Sequence, residues 1–233
     1  MNAEARIGLI IPSGNGLTEP QFHTYAPPSV GIHVTRLRMT GQHRKSPSEL
    51  KASLAEAAAA LGDTKPGLIV FHCTANSMEN GLAGEADLVE TIQTASGCQT
   101  ITTAQAIREA FNHFRIKKLV LISPYVRETN AHEIKYLAEA GYTVLHDVGL
   151  GLQSDGYGAV TPEEWIRIAK ENIRADADGY FLSCTNTRMI EAIEKLEQDL
   201  GKPVVNSNQA TLWLCLKKLG VPHANKTLGR LFG

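Results

Sequence analysis

Cysteine is scarce in this chain: four in 233 residues, Cys73, Cys98, Cys184 and Cys215, with no C-x-x-C pair among them. Four dispersed thiols in a chain of this length exclude a disulfide scaffold. The eight histidines are scattered, so no cluster has zinc-ligand spacing. Long apolar runs are missing too, none approaching the roughly 20 residues of a membrane span. The start, "MNAEARIGLI", has no basic segment followed by a long apolar one, and a cytoplasmic location is expected. Nor does charge of one sign prevail: 23 basic side chains against 24 acidic ones leave a formal charge of −1. Neither a nucleic acid nor a membrane surface is therefore an expected partner. The dinucleotide fingerprint G-x-G-x-x-G, the phosphate loop G-x-x-x-x-G-K-[ST] and the serine elbow G-x-S-x-G are all absent.

What is present reads as a globular α/β protein. Hydrophobic residues make up 43% of the chain and charged ones 20%, and the length suits one large domain or two small ones. Short apolar runs at 6–11, 32–38, 67–72, 99–102, 118–123, 142–148, 179–183 and 203–206 read as strands. Amphipathic stretches at 47–61, 84–96, 103–115, 129–140, 162–175, 187–200 and 207–219 read as helices, the alternation of a parallel sheet. "SPSE" and "TPEE" each combine a hydroxyl cap, a proline at the first helical position and an early glutamate.

The two halves repeat each other. "IGLIIPS" lines up with "LVLISPY", placing Pro12 opposite Pro124 at an offset of 112; Cys73 falls opposite Cys184 at an offset of 111. "SPSELKASL" pairs with "TPEEWIRIA", and "GCQTITTAQA" with "GKPVVNSNQA", in the same order. Such a repeat implies two similar Rossmann-like lobes with parallel sheets, related by a pseudo-twofold axis, with the active site between them. The lobes are expected to comprise residues 1–97 plus 207–233, carrying Cys73, and residues 98–206, carrying Cys184.

Ligands of open parallel sheets bind beyond the carboxyl ends of the strands, and both "GLIVFHCTANS" and "DGYFLSCTNTR" put a cysteine at such an end. An isolated cysteine there is usually packing. Two in matched positions, each expected to precede a helix whose N-terminus favours thiolate, read instead as a catalytic pair approaching one cleft from opposite sides. Thr74, Thr185 and Asn186 supply hydroxyls, an amide and backbone N–H groups that could hold an anion. Asn15, in "IIPSGNGLTEP", either offers its amide to a carboxylate or shapes the turn. Tyr125 occupies in the second half the place of Ser13 in the first, and either donates its phenol or packs. Asn130 is expected to brace the following helix, and strand alternation turns His72 away from Cys73. Cys98 and Cys215, the latter within a helix's apolar stripe, read as structural. Two facing thiols suit acid/base or nucleophilic chemistry without a cofactor, on one face or both faces of a carbon.

These features resemble the aspartate/glutamate racemase superfamily over essentially the whole chain. "PSGNGLTEP", "HCTANS", "SPYVRETN" and "LSCTNTR" are most similar to its maleate cis-trans isomerase and arylmalonate decarboxylase branch. The resemblance implies that Cys73 adds as thiolate to a small unsaturated dicarboxylate such as maleate. The adduct's C2–C3 bond then rotates while Cys184 supplies and retrieves a proton. It further implies that Asn15, Thr74, Tyr125, Thr185 and Asn186 bind substrate, with no metal or organic cofactor and a homodimeric or homotetrameric assembly. A decarboxylase of this branch would keep only the second cysteine. A two-cysteine racemase or epimerase of a small acid is the alternative activity, and a non-catalytic small-acid binding protein the alternative class. His72, Ala75 and Asn76 depart from the isomerase pattern, and "GLGLQSDGYGAV" lacks its carboxylate-binding asparagine. The loop at 150–160 could contribute a ligand or a lid.

Overall fold

A computed structural model describes residues 5–233; residues 1–4, where the N-terminal stretch begins, lie outside the described part. Two four-stranded parallel sheets carry the same topology. In the first, β1 (Ala5–Pro12) lies between β2 (Val30–Leu37) and β3 (Leu68–Phe71), and β4 (Thr100–Thr102) pairs with β3. In the second, β5 (Lys118–Ser123) lies between β6 (Thr143–Gly149) and β7 (Gly179–Leu182), and β8 (Val204–Asn206) pairs with β7. The repeat in the sequence is therefore a repeat of sheet order. The first sheet runs past residue 97, where the sequence had suggested a boundary, because β4 hydrogen-bonds to β3 rather than joining the second half.

β3, with LIVF, and β7, with GYFL, are buried at every position, as strands covered by helices on both faces must be. Their covering helices start where the caps dictate. α2 (Pro47–Gly62) opens with a capping box between Ser46 and Glu49, and α7 (Pro162–Glu171) with Thr161 accepting from the Glu164 N–H. α5 (Thr103–Phe114) and α9 (Ser207–Lys218), each following the last strand of its sheet, pack against one another. One hydrophobic cluster runs through both sheets, from Ile7 and Val70 to Phe181 and Leu216. A second, with Leu54, Ala58 and Leu61 of α2, packs against Ile10, Ile69 and Phe71 of the first sheet. Among the described residues no helix is long and apolar enough to cross a membrane.

Several elements differ from their sequence expectation. α1 (Thr18–Tyr25) follows β1 directly, where only a turn was read. The Asn15 carboxamide oxygen accepts from the Leu17 and Thr18 N–H groups, supplying acceptors that Leu17 at the cap lacks. A five-residue helix, α3 (Thr74–Met78), precedes α4 (Gly81–Ser96). α6 (Arg127–Glu139) starts two residues early, and α7 stops at Glu171, where Asn172 caps it by donating to the Ile168 carbonyl. The helix read over 187–200 begins as a 3-10 turn at Met189–Ala192 and becomes α8 only over Ile193–Leu200.

A buried carboxylate ties α4, α5 and α6. Glu85, 5% exposed, accepts from Thr102, from Arg108 and, at 2.6 Å, from the Tyr136 hydroxyl. Glu85→Ala is expected to destabilise the protein by about 3 kcal/mol, since it leaves two hydroxyls and a guanidinium without their acceptor. Arg108 keeps 24% of its side chain in solvent, which holds the loss at the lower end for a broken buried pair. A urea melt of the variant measures it, and a midpoint equal to wild type would refute a structural role.

Candidate active site

A cavity of about 340 Å³ opens at the carboxyl ends of the strands, and Cys73 and Cys184 both line it. Asn15, Tyr125, Thr185 and Asn186 line it as well, so six of the seven residues singled out in the sequence meet at one place. Thr74 is the exception. Its hydroxyl donates to Ser207 Oγ at 2.9 Å and is 1% exposed, so it faces the start of α9 rather than the cavity. Cys98 and Cys215 stand apart, one half-buried after α4 and the other buried within α9.

The two thiols sit in different settings. Cys73 lies two residues past β3 and occupies the N-cap of α3; its Sγ donates to Asn76 Oδ1 at 3.1 Å. Cys184 has a φ of +146°, a region L-residues rarely enter, and strain of this kind is retained where the surroundings enforce it. Its N–H donates to Ser207 Oγ at 3.2 Å, and its Sγ accepts from the Asn186 N–H at 3.3 Å. No helix starts at Cys184: residues 185–188 form bends before the 3-10 turn. This corrects the reading of two helix-capped thiolates. Burial pushes both thiols up to about 12, against which the Asn76 N–H pulls on Cys73. On Cys184 the Tyr125 phenol and the Asn186 and Thr185 N–H groups pull down. Desolvation outweighs a single helical turn, and both cysteines rest as thiols.

A connected network of neutral polar groups lines the cavity beside the thiols, and Arg44, Glu79, Glu128 and His132 complete its polar lining. Asn15 Nδ2 donates to Thr18 Oγ1 at 2.9 Å and to Thr185 Oγ1 at 3.1 Å, so both amide protons serve the protein and the turn-shaping role is the one observed. Thr18 Oγ1 donates to the Thr185 carbonyl at 3.0 Å, and the Gly16 N–H donates to Asn186 Oδ1 at 3.0 Å. Tyr125, 4% exposed, packs edge-on against Tyr157 with ring centroids 5.5 Å apart. Burial raises the pKa of both phenols, so each remains a hydrogen-bond donor. Tyr157 was missed in the sequence reading, although an aromatic in the loop beyond β6, "SDGYGAV", was the available signal. Arg44, at the cavity mouth, is paired with Glu79. Asn130 braces the ends of β5 and β6 by accepting from Ser123 and donating to Asp147. No group of three or more His, Cys, Asp or Glu side chains among the described residues could hold a metal ion.

His72 faces away from Cys73, as alternation requires. Its Nε2 pairs with Asn208 Oδ1 and its Nδ1 with Thr103 Oγ1, each at 2.8 Å. Burial lowers its pKa to about 4, against the hydrogen bond to Asn208, so it is a neutral structural group at neutral pH. The native state refuses a proton that the unfolded chain accepts near 6.5, so His72 costs stability as pH falls from about 6.5 to 4. Urea melts at about pH 5 and 7 are expected to give a smaller difference between midpoints in His72→Gln than in wild type. Equal differences would remove His72 as the source.

Paired lobes of one topology, with a buried thiol from each at a shared cavity, define a two-cysteine α/β protein of the pseudo-twofold kind. The chain belongs to the arylmalonate decarboxylase family, whose family model matches residues 7–232. A maleate isomerase of Geobacillus stearothermophilus is 25% identical over 242 residues, covering 96% of each chain. The arylmalonate decarboxylase of Bordetella bronchiseptica is also 25% identical, over 232 residues covering 97% of this chain and 95% of its own. Among solved structures, a cysteine-to-serine variant of the Nocardia farcinica maleate cis-trans isomerase, holding a covalently bound succinylcysteine intermediate, matches with a TM-score of 0.89. That pair is 21% identical and aligns over 98% of both chains.

Proposed function

We propose that the protein is a cofactor-independent cis-trans isomerase of maleate or a closely related small unsaturated dicarboxylate. The observation that carries this reading is the presence of two thiols, Cys73 and Cys184, on one cavity that Tyr125, Tyr157, Thr185 and Asn186 also line. The named activity of the maleate isomerase relatives and the succinylcysteine held by one of them support it.

In this mechanism Cys73 Sγ bonds to C2 as the double bond opens, and charge spreads onto the C3 carboxylate. Cys184 delivers its thiol proton to C3 and takes up the proton that Cys73 gives up, so that in sum the Cys73 S–H has added across the double bond. Rotation about the resulting C2–C3 single bond, then return of a C3 proton to Cys184 while Cys184 gives its own back to the departing Cys73, yields the trans acid and restores both thiols. The Tyr125 and Tyr157 phenols and the Thr185 hydroxyl, whose oxygen already accepts from Asn15, donate to the carboxylate oxygens as charge builds. Asn186 contributes its backbone N–H to Cys184, and Asn15 holds Thr185 in place. Thr74 contributes by fixing Ser207, which anchors the Cys184 backbone.

Decarboxylation of an arylmalonate is the second reading, favoured by the concentration of donors on Cys184 and by Met39, Val126 and Leu152 along the cavity wall. Incubation with maleate in D₂O, followed by proton NMR, separates the two. Fumarate is the expected product; inert maleate together with carbon dioxide release from phenylmalonate would replace the first reading by the second. Deuterium entering Cα of chiral amino or hydroxy acids, with maleate untouched, would make the protein a racemase.

A further inference from the structure

Behind the cavity, on α6, lies a carboxyl group that the mechanism above does not use. Glu133 is fully buried; its Oε1 accepts from Ser183 Oγ at 2.9 Å, and its Oε2 has no partner among the described residues. An ionised carboxylate with an unpaired oxygen in a buried site is costly, whereas a protonated one is tolerable. Ser183 is itself fully buried, donates its N–H to the Ile122 carbonyl, and is bonded directly to the strained Cys184. Glu133 therefore grips the residue that sets the Cys184 backbone.

We infer that Glu133 is a positioning residue of the two-thiol chemistry: uncharged, it tethers Ser183 behind Cys184, and once ionised it opposes negative charge on both cysteines. The groups around it bear this out. α6 packs against α3, α4 and β6. From the two ends of α3 come Cys73 and Glu79, from α4 Glu85, from β6 Asp147, and from the loops after the strands Cys184, Tyr125 and Tyr157. Arg108 is taken by Glu85, and Asp147 is held by Asn130. Negative charge on Glu133 raises the pKa of Cys73, Cys184, Tyr125 and Tyr157 alike. Burial lifts Glu133 to about 8, opposed by the Ser183 hydrogen bond, so its proton is lost on the alkaline side of neutrality. There each thiol becomes harder to ionise just as rising pH favours ionisation. A bare carboxyl tuned in this way makes the thiols respond less to alkali than isolated thiols would.

The inference rests on the proposal that both thiols react, but its test reads the thiols without any substrate. The full-length protein is alkylated with iodoacetamide between about pH 6.5 and 10, and Cys73 and Cys184 peptides are quantified by mass spectrometry, with Cys98 as internal control. In wild type the logarithm of each rate is expected to flatten as Glu133 ionises. In Glu133→Gln, which preserves an acceptor for Ser183 but cannot ionise, the rates match wild type near pH 6.5 and exceed it about threefold or more at pH 9, half a pKa unit of coupling. Ser183→Ala removes the bond that eases ionisation, so the flattened region moves to higher pH. Curves for Cys73 and Cys184 that coincide in wild type and Glu133→Gln would overturn the inference, as would a rate change of equal size at every pH, which marks distortion instead of charge. A protein giving the expected curves but leaving maleate unchanged would overturn the isomerase reading alone.

Discussion

Cys73→Ala is expected to lower maleate turnover by about 10⁴-fold or more, to the limit of detection in a fumarate assay. No other group on the cavity can replace it. The neighbouring nucleophile, Cys184, approaches from the second sheet, and Tyr125 and Tyr157 keep their protons because burial raises their pKa. The loss is chemical and not structural: the thiol is small, its Sγ hydrogen-bonds among the described residues to Asn76 alone, and its removal costs about 1 kcal/mol, so the variant should melt close to wild type. Retained turnover in Cys73→Ala would mean that Cys184 acts alone, the arrangement of a decarboxylase.

Cys184→Ser has a different signature. Addition by Cys73, with C3 protonated slowly from water, still forms the succinyl adduct, but a serine hydroxyl is far too weak a base to take the C3 proton back and complete elimination at the thiol's rate. Turnover is expected to drop by about 10³-fold while a mass increase equal to the substrate accumulates on the Cys73 peptide. The backbone at this position already sits at a φ of +146°, held by Ser207 and by Ser183 with Glu133, and serine fits the same strained site. Loss of turnover without any adduct would place Cys184 ahead of the addition, activating Cys73 instead of following it. Together the two variants distinguish attack from protonation, which the near-equal elevation of the two thiols cannot do.

How far each of these residues could be read in advance depends on the range of the interaction that places it. Pro47 and Pro162 start helices through caps one residue away, so α2 and α7 were legible. α1 was not: its start relies on the Asn15 carboxamide three residues upstream, which in turn is oriented by Thr185, 170 residues away. Tyr157 belongs to a loop with no period to mark it. Glu133 sits in α6 and meets Ser183 across 50 residues, so nothing local distinguishes it from a surface glutamate of an amphipathic helix.

By itself the sequence determined the class of fold and the identity of the two thiols. Alternating apolar runs and capped helices specify parallel sheets, and a repeated register puts Cys73 and Cys184 at matching strand ends, where such sheets bind ligands. Only the tertiary structure decided which hydroxyls face the cavity, that both thiols rest protonated, and that Glu133 stands behind them. Thr74 follows Cys73 just as Thr185 follows Cys184, yet one turns to Ser207 and the other lines the cavity. The cause is physical: side-chain direction and desolvation are set by whatever packs across the seam between the halves, and those neighbours are distant in the chain.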